Sequence, residues 1–202
     1  MRTLSIPSRR TAAVLLLPLF AAACGITRVQ RIDTESVTDL SGRWNDADSR
    51  LVANALIEQS LAGSWTSVNT GGSSPAVIVG EFRNRTLEHI PVTTFTRDLE
   101  RALVSSSAVR VVASQQERSE VRDERMDQQQ FAAPETRARL GRELGARYML
   151  QGDVQAIEDA AGREKVVFYQ VDATLIDLET NAKVWAGQHK IKKYIQRRRI
   201  TG

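Results

Sequence analysis

Three stretches in the last third of the chain, YMLQGDVQAI (148 to 157), KVVFYQVDATLIDL (165 to 178) and AKVWAGQHKI (182 to 191), alternate apolar and polar residues at a spacing of two. In an extended chain that period puts alternate side chains on opposite faces, so each stretch reads as a strand with one face to bury. AAGR and ETN between them are turn-forming segments that suit hairpins, and the three strands therefore form an antiparallel meander. On the middle strand Phe168, Gln170 and Asp172 share one face, opposite Val167, Tyr169 and Val171. If the second face is the core, Phe168 is an exposed aromatic that needs a covering helix or a partner.

A meander cannot bury its apolar face alone, and the preceding residues supply the cover. NDADSRLVANALIEQSLAG (45 to 63) places Leu51, Val52, Ala55, Leu56 and Gln59 on one helical face, with Asn45 or Asp46 as N-cap and Gly63 as a stop. SVNTGGSSPA (67 to 76) is a connector of turn-forming residues. VIV at 77 to 79 suits a strand buried on both faces, TTFTRDLERALVSS aligns Phe95, Leu99, Ala102 and Leu103 as a helical stripe, and VRVVAS offers a second strand at 109 to 113. Residues 115 to 130 are helical by propensity, but Val121 and Met126 are nearly their only apolar members, so this helix is expected to be exposed or partner-facing. Pro134 opens a further expected helix in which Leu140 and Leu144 share a face and Gly145 is the C-terminal cap. Trp44 and Trp65 flank the first helix, as anchors to the sheet or to a partner, and Trp185 lies within an alternating strand and is expected in the core. The expected fold is α/β (α+β mixed), one mixed β-sheet with helices packed on it, in the order helix-β-α-β-α-α-β-β-β.

The N-terminus gives the compartment. Arg2, Arg9 and Arg10 precede the apolar run TAAVLLLPLFAAA, which is too short for a permanent span of ~20 residues and is followed by Cys24. That is a secretory signal layout. Ala21-Ala22-Ala23 before Cys24 suits an ordinary signal peptidase and also resembles the bacterial lipobox. A lone cysteine in an exported chain has no intramolecular disulfide partner, so Cys24 is read as a lipid anchor; a free or intermolecularly paired thiol is the alternative. Gly25 in place of Asp implies outer-membrane sorting. Of a formal charge of +4, three units leave with the leader arginines. Lys183, Lys190, Lys192, Lys193, Arg197, Arg198 and Arg199 then set a basic tail on an acidic body. An exported protein meets no genome, so that tail suits an anionic membrane face, a cell-wall polymer or an acidic partner, or is simply solvated. The expected organisation is a signal peptide (1 to 23), a lipidated tether (24 to 43), an N-terminal helix and connector (44 to 75), a globular domain (76 to 195) and a basic tail (196 to 202).

Catalytic chemistry has few candidates. His89 and His189 lack ligand-like spacing to one another or to Cys24. Glu88 beside His89 is a weak acid/base pair, because sequence neighbours do not face each other in regular structure. NDADS lacks the glycine and glutamate of a calcium loop, no GK[ST] follows Gly71 and Gly72, and the Asn84-Arg85-Thr86 sequon is idle in a bacterial chain. This inventory points to a binding module with no cofactor, no metal and no small-molecule substrate. Arg83, Asn84, Arg85, Glu88 and His89, at the carboxyl end of the first sheet strand where ligand loops gather, and Phe168 are the candidate partner contacts, with a turn-forming role as the alternative for the first five.

SGRWNDADSRLVANALIEQ (41 to 59), VIVGEFRNRTLEHIPVTTFTRDLERAL (77 to 103), DERMDQQQFAAPETRARLGRELGARYMLQGDV (123 to 154) and KVVFYQVDATLIDLETNAKVWAGQHKIKK (165 to 193) together resemble the LpoB-type lipoprotein activators of penicillin-binding proteins. The resemblance implies an outer-membrane lipoprotein facing the periplasm, with a small domain similar to the TolB N-terminal domain. It implies docking on a bifunctional class A penicillin-binding protein and stimulation of peptidoglycan synthesis, with no catalysis by the chain itself. A non-enzymatic subunit of an envelope assembly system, in the manner of curli-assembly lipoproteins, is the alternative. Enterobacterial members carry a long Pro-rich linker, whereas here only about 20 residues lie between Cys24 and Trp44, a reach of roughly 70 Å when fully extended.

Overall fold

A computed structural model describes residues 28 to 67 and 73 to 197. Cys24, the leader and the extreme basic tail fall outside the described residues, and the unit from Glu35 onward carries the helices and strands. Its elements are α1 (Asp46–Leu61), a short 3-10 turn (Ser64–Ser67), β1 (Ala76–Asn84), α2 (Val92–Ser106), β2 (Arg110–Val111), α3 (Gln115–Phe131), β3 (Tyr148–Ala161), β4 (Glu164–Asp177) and β5 (Lys183–Gln196). The sheet order is β2-β1-β3-β4-β5. β1 runs parallel to both β2 and β3, and β3, β4 and β5 are antiparallel. The mixed sheet and the meander expected from the alternating stretches are both present.

The meander buries the face the pattern requires. Val167, Tyr169, Val171, Ala173 and Leu175 of β4 join Leu150 and Val154 of β3 in one core with Val52, Leu56 and Ile57 of α1 and Phe95, Leu99 and Leu103 of α2. α1 and α2 therefore lie side by side on the Tyr169 face. Val77 and Val79 enter this core, while Ile78 packs on the opposite face with Ala76 and Val112, so VIV is buried on both sides as expected. A bulge between Val79 and Phe82 returns Phe82 to the core face, where its ring meets Phe95 edge to face at 5.2 Å. Gly152, the register partner of Phe82 on β3, leaves room for that ring, because a Cβ there would strike the Asp172 carbonyl oxygen and the Phe82 ring.

α1 starts with a reciprocal cap: Asn45 accepts from the Asp48 N–H, and Asp48 accepts from the Asn45 N–H. Its buried stripe runs through Ser49, Val52, Ala53, Leu56, Ile57 and Ser60, while Leu51 and Gln59 face outward. The observed stripe is rotated from the expected one by one position. Both share Val52 and Leu56, but the observed one uses small Ala53, Ser49 and Ser60 to bring the backbone close and adds Ile57. Trp65 is buried edge to face on Tyr148 at 5.4 Å, and its indole N–H donates to the Ser60 carbonyl. Trp44 stacks edge to face on both Phe95 and Tyr169. The flanking tryptophans are intramolecular anchors, and Trp185 packs at the margin of the core.

The expected helix from Pro134 does not form: residues 134 to 137 are a turn, and no helix or strand runs from 138 to 147. The order is helix-β-α-β-α-β-β-β. Leu140 stays exposed, and Leu144 is only partly covered. Gly141 and Gly145 each cost about 1 kcal/mol in a helix relative to Ala, and two leucines without a core do not offset that. Gly145 is consequently not a helix cap. β2 is also shorter than VRVVAS suggested, with two residues paired. Among the described residues no helix is long and apolar enough to cross a membrane.

Candidate partner-docking site

At the carboxyl end of β1 the expected contact residues fall into two groups. Asn84 and Glu88 are structural. The Asn84 carboxamide oxygen accepts from the Thr86 N–H at 2.9 Å and from the Thr86 hydroxyl at 2.8 Å, while its Nδ2 donates to the Glu88 carbonyl at 2.7 Å. These bonds close the loop after β1. Glu88 accepts from the Tyr169 hydroxyl at 2.7 Å and from the Trp44 N–H at 3.3 Å, tying that loop to β4 and to the segment before α1. Burial of the phenol, reinforced by the Glu88 carboxylate, raises the Tyr169 pKa well above its ordinary value. Half-buried and committed to these two donors, Glu88 is a brace, and it forms no acid/base pair with the exposed His89.

Arg83 and Arg85 point elsewhere. Their Nε atoms reach the same Asp153 Oδ1, at 3.0 and 3.2 Å, on the face of the sheet opposite α1 and α2. Register places Asp172 of β4 and Gln188 of β5 in line with Asp153. Phe168 lies on this same face, in a row with Ile157 and Lys192, and Gln155, Gln170 and Lys190 form the row between. α1 and α2 occupy the other face, and α3 lies against residues 111 to 113 and 142 to 144, so among the described residues no helix covers Phe168. The Phe168 ring is half-buried by its strand neighbours, and Ile157 and Tyr194 beside it are well exposed. The solvent-facing aromatic inferred from alternation is real, and it sits in an open face that also carries Arg83, Arg85 and exposed Ile157 and Tyr194; aromatic and arginine side chains are the types enriched at protein interfaces.

The structure thus brings Arg83, Arg85 and Phe168 to one face and assigns Asn84 and Glu88 to holding the loop. Ile157, Lys190 and Lys192 complete the patch without having been singled out from sequence. A register argument could have found them: the tight Gly162-Arg163 turn pairs Ala161 with Glu164, which sets Ile157 opposite Phe168. Leu87, fully exposed at the tip of the β1–α2 loop, is a further residue that periodicity does not flag. Among the described residues no group of three or more His, Cys, Asp or Glu could hold a metal ion.

The family model for the peptidoglycan-synthase activator LpoB matches residues 48 to 191, nearly the whole folded unit. The chain belongs to the LpoB family of peptidoglycan-synthase activators. Among solved structures, it is similar to the LpoB C-terminal domain from Salmonella enterica, at 18% identity over 72% of this chain and 99% of that one, with a TM-score of 0.41. The LpoB C-terminal domain from Escherichia coli gives 15% identity over 72% and 99% and a TM-score of 0.44. The NMR structure of E. coli LpoB covers 94% of this chain and 91% of that one, at 16% identity and a TM-score of 0.42. No curated protein sequence matches this chain.

Proposed function

We propose that this chain is a periplasm-facing lipoprotein, held in the outer membrane by acylated Cys24, that binds a bifunctional class A penicillin-binding protein and stimulates peptidoglycan synthesis without catalysing a reaction itself. The observation that carries this reading is the activator-family match across residues 48 to 191. The open face around Arg83, Arg85 and Phe168 is the docking surface, because it is the large sheet face that α1 and α2 leave bare and it carries arginine and aromatic anchors. Activation then works by binding alone: the partner enzyme supplies the active sites, and the chain shifts it toward its active conformation by favouring that state.

The test is glycan polymerisation from lipid II by class A penicillin-binding proteins of the same cell, with and without the purified full chain. Stimulation that falls at least fivefold in affinity for Phe168→Ala combined with Arg83→Glu is expected, since a single interface hot spot is worth about 1 to 2 kcal/mol or more. Failure of every class A enzyme to bind or respond would overturn the reading. Ring-shaped oligomers in detergent would favour the envelope-assembly alternative.

A further inference from the structure

At the opposite end of β1 from Arg83, the molecule holds a second cationic feature that docking on the open face does not use. The residues of α3 at positions 118, 122 and 125 recur at helical spacing and put three arginines on one side of the helix. Across from them the irregular segment after α3 contributes Arg142 and Glu143. Glu143 takes Arg122 through two parallel bonds of 2.8 and 2.7 Å and approaches Arg125 at 3.6 Å. The single carboxylate lining this place is thereby committed to Arg122 and Arg125; Arg118 lies near enough to help lower the Glu143 pKa but makes no direct ion pair, and Arg142 makes none among the described residues. The Arg118 Nε–H is buried and donates to nothing, the one side-chain atom in that condition among the described residues. A buried charged donor without an acceptor is unfavourable, and it marks where an acceptor belongs.

Arg118, Arg125 and Arg142 line a cavity of about 280 Å³ between β2, α3 and residues 142 to 144. Its remaining walls are apolar, with Val111, Val121 and Leu144 prominent. Val121 and Leu144 stay 45% and 44% exposed, so these walls are unfinished. α3 has no buried residue, and a helix lying on a cavity rather than on a core has room for a ligand to complete the contact.

We propose that this cavity is a binding site for a small amphipathic oxyanion, its carboxylate or phosphate head held by Arg118 and Arg142 and its short aliphatic body lying on Val111, Val121 and Leu144. Planar guanidinium groups match both heads in paired hydrogen bonds, and the apolar walls distinguish such a ligand from a free inorganic ion. Binding would clamp α3 to the segment that follows it, raising the stability of that helix by mass action.

The test titrates the 15N-labelled full chain with hexanoate, hexyl phosphate, inorganic phosphate and hexylammonium, following amide shifts of Val121 and Leu144. Saturable binding of hexanoate or hexyl phosphate is expected, at least tenfold tighter than inorganic phosphate, with no response to hexylammonium. Whichever head binds tighter identifies the source as an acyl carboxylate or a phosphate ester. Arg118→Met, which keeps the aliphatic stem, and Arg142→Met, which lies outside any helix and so keeps the test independent of α3 folding, should each weaken binding at least tenfold. Arg85→Met should leave it unchanged. Absence of saturation, equal binding of inorganic phosphate, or full affinity in Arg142→Met would overturn the assignment.

Discussion

Lys193 holds the start of the domain in place. Its ammonium group donates to Asp39 and Asp48, each at 2.6 Å, and to the Arg43 carbonyl at 3.2 Å. Burial opposes the charge on Lys193, but the two carboxylates outweigh it and raise its pKa above the ordinary value. The Lys193 and Asp48 side chains are each only 9% exposed, so removing one partner strands a buried charge. Lys193→Met should therefore cost about 3 to 5 kcal/mol, read as a shift in the urea unfolding midpoint, whereas Asp39→Asn, at a half-exposed position, should cost under about 1 kcal/mol. Equal costs would show that burial is not what matters there. Gly42 works beside this triad: its φ of +70° and the Ile195 side chain lying where a Cβ would be both exclude larger residues. Gly152→Ala tests the β1–β3 pairing in the same way. It forces both the Asp172 backbone and the Phe82 ring to move, and a loss of about 1 to 3 kcal/mol is expected. No change in the midpoint would mean that the two strands part more easily than their register implies.

Among the elements, α3 stands apart because electrostatics, not a core, attaches it. Ser114 and Glu117 form a reciprocal cap at its start, and Arg97 of α2 bonds Glu117 at 2.6 Å. The Arg97 hydrogen bond and the Ser114 backbone hold the Glu117 pKa down to about 2. The folded value lies below the unfolded one, so this pairing stabilises above about pH 4.5 and is lost as pH falls from there toward 2. Discounted for solvent screening, it is worth roughly 1 kcal/mol. Amide exchange in α3 should accelerate over that window, and Glu117→Gln should flatten the dependence; an unchanged profile in that variant would place the acid sensitivity elsewhere. α2, with Phe95, Leu99 and Leu103 fully buried, should exchange far more slowly at every pH. The neighbouring segment 134 to 147 buries neither of its leucines and packs on a core only near its end, through Ala146. Its leucine spacing is helical, but spacing without a surface to cover does not make a helix in water.

For the whole molecule, the position of the first firm contacts sets how far an anchored domain can reach. Glu35 is already paired with Arg50 at 3.5 Å and Asp39 is bonded to Asn45 and Lys193, so a lipid on Cys24 leaves at most the residues before Glu35 as leash, about 40 Å at full extension. On the activator reading, inserting a flexible stretch of about 20 residues there should preserve or increase stimulation in intact cells and leave stimulation by the purified protein unchanged. A loss in the purified assay would mean that the insertion disturbs the domain itself. Cys24→Ser should release the protein from membranes with its thermal midpoint unaltered; continued membrane retention would reveal another anchor.

The amino-acid sequence by itself determined the meander, the Val167-Tyr169-Val171 core face, the α2 stripe and the placing of Phe168 on the opposite face, because each follows from a period of 2.0 or 3.6 acting within one segment. It also carried the family, through motifs spread over most of the domain. Only the tertiary structure decided which of two overlapping stripes α1 buries, since Leu51 and Ile57 have similar apolar content and the choice depends on how closely Ala53 and Ser60 let the backbone approach. It alone separated Glu88, spent on Tyr169 and Trp44, from Arg83 and Arg85 on the open face, because residues adjacent in the chain acquire different surroundings from distant strands. The paired-off Glu143 and the orphaned Arg118 Nε arise for the same reason: charge balance at a site is a property of segments brought together in space.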